Sequence, residues 1–226
     1  MLFSEQLQHT VRENESLLPY TWLQMGGPAR YFAEPTTVDE LCQLIAEANT
    51  AKVPLKLLGS GSNVLVREEG VDGLVIHLCT AELCLISRDG HRLVARAGAK
   101  LSHVISSAVG FGLSGLEHLA GIPGTVGAAI VGNAGGMNDD IGSRVSKLTI
   151  INRSGNRQQI GSEGLQFGFR RSNVEDCYIA EVEFELSPGD PVELTRRMQS
   201  NWIIRRTSHP TLGSRTAQLF IEPSGM

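Results

Sequence analysis

The chain has 226 residues with a formal net charge of -4 at pH 7, and 41% of it is hydrophobic against 19% charged. That length suits one large domain or two small ones, and the charge offers no nucleic-acid surface, since the arginines are scattered apart from the pairs Arg170/Arg171, Arg196/Arg197 and Arg205/Arg206. No apolar stretch is long enough to cross a bilayer, and Met1–Ser16 carries Glu5, Arg12, Glu13 and Glu15 where a signal peptide would have its apolar core, so a cytoplasmic protein without membrane or nucleic-acid partners is expected.

Residues 37–50 read as the clearest helix. Thr37 and Glu40 have capping-box spacing, and Leu41, Leu44, Ile45 and Ala48 form one apolar stripe. Pro54 ends it, and the apolar run Leu55–Leu58 predicts a buried strand, giving a β-α-β pattern. Asn63–Arg67 and Gly73–Leu78 read as further short strands. Leu83–Ser87 and Arg92–Ala97 flank Arg88-Asp89-Gly90-His91, whose Asp-Gly pair signals a hairpin. Leu101, Val104, Ile105 and Ala108 predict a helix ending near Gly110 or Gly112. Lys147–Asn152 and Arg157–Ile160 flank a second turn, Arg153-Ser154-Gly155-Asn156, and Tyr178–Leu186 alternates as a strand. Asp190 and Pro191 stand at cap and first-turn positions of a last helix through about Arg206. The fold class is therefore α+β, with a small α/β unit over residues 1–80 and a hairpin-rich unit over 81–208.

Two glycine-rich segments punctuate this pattern. The first, Gly59-Ser60-Gly61-Ser62-Asn63, leaves the Leu55–Leu58 strand; the second runs from Gly121-Ile122-Pro123-Gly124-Thr125-Val126-Gly127 to Asn133-Ala134-Gly135-Gly136. A loop of this kind at a strand's carboxyl end turns several backbone N–H groups into one small space, which phosphate oxygens commonly fill. Two such loops suggest one long anionic ligand held at two places, such as a dinucleotide. Neither loop holds a histidine or cysteine, so the ligand is expected to be held noncovalently.

The ordered set of segments resembles the UDP-N-acetylenolpyruvoylglucosamine reductase family. Thr21-Trp22 and Met25-Gly26-Gly27-Pro28-Ala29 precede the first glycine loop. Gly115-Leu116-Glu117, the Ala120–Gly127 segment, Asn133-Ala134-Gly135 and Phe167-Gly168-Phe169-Arg170-Arg171-Ser172 follow it. The resemblance runs from about residue 17 onward. It implies a two-subdomain FAD-binding fold of the vanillyl-alcohol oxidase and p-cresol methylhydroxylase type, with NADPH as reductant and a UDP-sugar as substrate. By the same resemblance Gly59–Asn63 and Gly121–Gly127 hold the pyrophosphate, Asn133, Ala134 and Gly135 lie along the flavin ring, and Ile179 touches the cofactor through its main chain. Arg170 matches the arginine that polarises the substrate carboxylate, a role suited to a permanently charged, bidentate guanidinium.

Two departures shape the functional expectation. The family has a serine or cysteine just before an aromatic-Lys-Asn-Pro run, and that residue protonates the substrate carbanion. The corresponding stretch here, Arg215 to Pro223, puts Gln218 at that position, with Ile221 and Glu222 in place of the lysine and asparagine. A neutral carboxamide is a poor general acid. Residues 209–226 also read as only the start of the family's third, substrate-binding domain. The expectation is an FAD-binding flavoprotein of reductase descent with the family reaction impaired or absent. The alternatives are a non-catalytic flavin-binding relic or gene fragment, and a reductase completed by another chain.

The remaining residues have plainer readings. Cys42, Cys79, Cys84 and Cys177 form no CxxC pair and no metal-ligand spacing, and read as buried reduced thiols. The dispersed His77, His91, His103, His118 and His209 read as structural or solvent-exposed, and Trp22, Trp202 and Phe184 as core. Ser214 stands several residues from the donor position, and its hydroxyl is a weak substitute for the missing acid.

Overall fold

The computed structural model describes residues 2–135, 139–174 and 176–208. β1 (Val11–Ser16) lies antiparallel to β2 (Pro28–Ala33). α1 (Val38–Thr50) begins at Thr37 with both halves of the capping box made: the Glu40 N–H donates to the Thr37 hydroxyl at 3.2 Å, and the Thr37 N–H donates to the Glu40 carboxylate at 3.3 Å. Leu41, Leu44, Ile45 and Ala48 are buried, as their spacing predicts. β3 (Leu55–Leu58) and β4 (Val71–His77) follow, and the sheet order is β1-β2-β4-β3, with β4 parallel to both of its neighbours. The carboxyl ends of β2, β3 and β4 consequently open along one edge of the sheet.

The strand expected over Asn63–Arg67 does not form. Val64 and Val66 pack instead on a small cluster of Leu17, Ala29, Phe32, Leu58 and Val75, while the Arg67 carbonyl accepts from the Gly27 and Gly70 N–H groups at 2.8 and 3.0 Å. The apolar alternation reflects which side chains face that cluster, not ladder pairing.

The second part is built on hairpins. β5 (Ile86–Asp89) and β6 (Arg92–Arg96) meet at Gly90, whose φ is 61°. α2 (Leu101–Gly110) buries Leu101, Val104, Ile105 and Ala108 and is followed by Gly112 at φ 68°. After β7 (Leu113–Ser114) and the short α3 (Val126–Val131) come β8 (Val145–Ile151) and β9 (Arg157–Gly161), then the tight pair β10 (Phe167–Gly168) and β11 (Arg171–Ser172). β12 (Tyr178–Glu185) is the centre of a five-stranded antiparallel sheet ordered β5-β6-β12-β8-β9. β13 (Ser187–Pro188) pairs with β7. α4 (Pro191–Ser208) starts with the Asp190 carboxylate accepting from the Glu193 N–H at 2.9 Å.

The main core runs continuously from α1 and β4 into α2, β6, β8 and β12, with Phe184 fully buried in it. The two tryptophans are not in the core. Trp22 is 36% exposed, and its backbone rather than its ring is used: its N–H donates to the Gly61 carbonyl at 3.0 Å. Trp202 lies on the outer side of α4, 40% exposed, with the Arg206 guanidinium 5.0 Å over its ring. The four cysteines are free thiols, but none is buried: Cys42, Cys84 and Cys177 are half-buried and Cys79 is exposed. Among the described residues no helix is long and apolar enough to cross a membrane.

Candidate functional site

The two glycine loops meet residue against residue. β3 delivers the chain to Gly59 at the sheet's carboxyl edge, and Gly59 is pressed on Thr125, where an added Cβ would fall on the threonine hydroxyl and 2.9 Å from its Cγ2. At Gly124, whose φ is 116°, an added Cβ would lie 3.3 Å from the Ser62 Oγ. Gly61 sits under the preceding loop with φ 63°, and a Cβ there would strike the Tyr20 carbonyl. The space beside Gly61 is thus filled by protein backbone, whereas that beside Gly124 is bounded only by a serine hydroxyl.

The seam between the loops is rich in spare donors. Among the described residues, the backbone N–H groups of Ser60, Ser62, Gly124 and Thr125 have no hydrogen-bond partner. The Ser60 Oγ is buried and likewise unpartnered. Buried polar groups are normally satisfied, so the orphaned hydroxyl is an exception that needs a partner. The first turn of α3 contributes less than its position suggests. Its Val126 and Gly127 N–H groups are already donated to the Ala99 and Ala97 carbonyls, each at 2.9 Å, and Gly127 leaves no room for a Cβ beside Ala97.

The second loop is anchored at its start by Arg205 from α4. Its Nε donates to the Ala120 carbonyl at 3.2 Å, and a Cβ on Gly121, at φ 87°, would lie 3.1 Å from the Arg205 Cδ. Burial, and then the like charge of Arg170, pull the Arg205 guanidinium below its ordinary value. Two arginines from distant parts of the chain therefore act on one region. Ile122 packs partly on the core, and Pro123 is exposed between Gly121 and Gly124.

Asn133 is buried at 4% exposure in a left-handed conformation, φ 40°. Its amide donates to the Asp140 carboxylate at 2.9 Å and to the Gly168 carbonyl at 3.0 Å, and its carbonyl accepts from the Gly142 N–H at 3.1 Å. Ala134 is bonded to Ala129 and Ile141, and Gly135 bridges to Asp140. Asn133 thereby holds the β10–β11 hairpin that carries Arg170 at its tip, with φ 57° and its guanidinium 5.8 Å over the Phe169 ring. Ser172 ties the same hairpin to α3 through a 3.0 Å bond to the Val131 carbonyl. Ile179 lies where β12 runs beyond the last β6 pair and only β8 accompanies it. Gly136, His209, Ser214 and Gln218 lie outside the described residues.

Glu117 explains the Gly115-Leu116-Glu117 segment. Glu117 is 8% exposed, and its carboxylate accepts from the Gly115 N–H at 2.7 Å and the Ser114 hydroxyl at 2.9 Å. Burial alone would raise this carboxyl, but those hydrogen bonds outweigh it and hold it below its ordinary value. It lines a cavity of about 530 Å³ together with His118, Asp139, Arg144 and Arg197, and none of the glycine-loop residues reaches this cavity. Burial also pulls the neighbouring His118 imidazole down.

Comparison with known proteins sets this geometry in a family context. An FAD binding domain matches residues 29–161, which include both glycine loops and Asn133-Ala134-Gly135. A UDP-N-acetylenolpyruvoylglucosamine reductase from Rhodopirellula baltica is 45% identical over 224 residues, spanning 99% of this chain and 73% of that protein. The crystal structure of the UDP-N-acetylenolpyruvylglucosamine reductase from Thermus caldophilus superposes with a TM-score of 0.77 at 31% identity, covering 91% of this chain and 73% of that one. Cholesterol oxidase from Brevibacterium sterolicum shares the fold, with a TM-score of 0.59 at 14% identity over 74% of this chain and 36% of its own.

Proposed function

The chain belongs to the UDP-N-acetylenolpyruvoylglucosamine reductase family, and on that premise we propose that it holds FAD at the seam of its glycine loops and acts on an enolpyruvyl UDP-sugar with NADPH as reductant. The observation that carries this reading is the buried, unpartnered Ser60 hydroxyl beside the Gly59–Thr125 contact. That hydroxyl and the N–H groups of Ser60, Ser62, Gly124 and Thr125 supply donors without a positive side chain, which fits a pyrophosphate. Asn63, Gly61, Gly121 and Gly127 shape the loops, and Asn133, Ala134, Gly135 and the Ile179 main chain line the flavin side. The chemistry supplied by bound FAD is two-electron hydride transfer.

Arg170, aided by Arg205, offers the substrate carboxylate a fixed positive field as negative charge grows on the neighbouring carbon. Proton delivery to that carbon falls to the position occupied by Gln218, whose amide holds its proton too tightly to act as an acid. We therefore read the chain as competent for FAD binding and reduction by NADPH but weak in the protonation step. The test is anaerobic mixing of the FAD-loaded chain with NADPH, followed by loss of the yellow absorption, alongside chromatography of the UDP-sugar product. Bleaching faster than product formation by about 10²–10⁴ is expected; product formed as fast as bleaching overturns the reading of Gln218.

A further inference from the structure

We propose that Glu34, His77 and Cys79 form a binding site for a thiophilic divalent cation of the zinc class. The three residues are brought together by the first sheet. Glu34 directly follows β2, His77 ends the parallel neighbour β4, and Cys79 comes two residues later on the same side. Their donor atoms all lie within 4.8 Å of one another, with His77 Nδ1 2.9 Å and Cys79 Sγ 3.3 Å from one Glu34 oxygen.

These separations are close to what a tetrahedral ion requires. Bonds of about 2.0–2.2 Å to nitrogen and oxygen and about 2.3 Å to sulfur put neighbouring donors roughly 3.3–3.7 Å apart, so the His77–Glu34 and Cys79–Glu34 pairs need open by only a few tenths of an ångström. One imidazole, one thiol and one carboxylate form a mixed set that suits zinc and is poorly matched to magnesium or calcium, which prefer oxygen alone. Three protein donors leave the fourth position to water. Arg12 is already placed as an outer partner, 2.7 Å from the other Glu34 oxygen, and is itself held by Tyr20 and Glu15.

Cys79 does not read as a reactive thiolate. Desolvation and the adjacent Glu34 carboxylate push its thiol up to about 12. Binding exchanges one proton for the cation: the S–H bond breaks, the Sγ–metal bond forms, and the proton leaves to buffer. The proposal does not depend on the flavin reading.

The test is a zinc titration of the reduced, tag-free chain against a competing chelator, with Co²⁺ difference spectra as a second measurement. One equivalent of zinc per chain, a thiolate-to-cobalt charge-transfer band and release of one proton are expected. Cys79→Ser should abolish the band and weaken zinc binding at least tenfold, and His77→Gln should weaken it similarly. Cys84→Ser should change neither. Absence of the cobalt band in the unaltered chain overturns the proposal, whether or not the variants fold. Zinc affinity unchanged by Cys79→Ser overturns it as well, by assigning the metal to other groups.

Discussion

The Asn133 carboxamide donates to the Gly168 carbonyl at 3.0 Å, joining positions 35 residues apart. That bond couples the Asn-Ala-Gly segment to the hairpin that presents Arg170. Asn133→Ala should lower stability by about 2–3 kcal/mol, since three partners lose a buried hydrogen bond. Asn133→Asp should be worse, because a carboxylate cannot donate to Gly168 and would face the Asp140 carboxylate. Thermal melts of both variants check this ranking, and equal melting temperatures would count against it.

Ser60 separates ligand binding from folding. Its hydroxyl has no partner among the described residues, so Ser60→Ala should leave the melting temperature of the FAD-free chain unchanged or slightly raised. The same change should weaken FAD binding about tenfold, as expected for one hydrogen bond to a charged group of about 1.5 kcal/mol. Paired melts and FAD titrations give the comparison. Lost stability with intact FAD affinity would reverse the assignment.

The glycines should divide in the same way. Gly61→Ala drives a methyl into the Tyr20 carbonyl and should damage the fold by more than ~2 kcal/mol. Gly124→Ala meets only the Ser62 hydroxyl, so its effect beyond backbone strain at φ 116° should fall on FAD affinity. Denaturant midpoints beside FAD dissociation constants distinguish the two.

Glu117 ties stability to pH. Its folded carboxyl is held below the value of the unfolded chain, about 4.3, so its contribution is present above that value. It is lost as pH falls through the unfolded value and on through the folded one. Glu117→Gln should be less stable by about 1 kcal/mol at pH 7. The gap should begin to close as pH falls below about 4.3 and close fully only below the folded carboxyl's own lower value, where the native glutamate is also neutral. Urea midpoints across acid pH test the sign, and a gap that widens on acidification would contradict it.

Local signals in the sequence translated well into structure. The Thr37–Glu40 box, the Asp-Gly hairpin before Arg92, the α2 stripe and the Asp190 cap all formed, because each is decided by residues a few positions apart. Asn63–Arg67 shows the limit of alternation: Val64 and Val66 needed an apolar surface, and a ladder partner was absent. The glycine segments were legible as loops, but their contact, Gly59 on Thr125, depends on tertiary packing. Arg205 reached the site by the register of α4, which no local pattern marks. The same holds for Glu34, His77 and Cys79, separated in sequence and joined by adjacent strand ends.

The central claim is that the loop seam is an FAD cradle. Titrating the flavin-free chain with FAD tests it most directly. Saturation at one FAD per chain is expected, with a yellow protein whose flavin passes wholly into the supernatant on acid precipitation. A well-folded chain that stays colourless and takes up no FAD would contradict it.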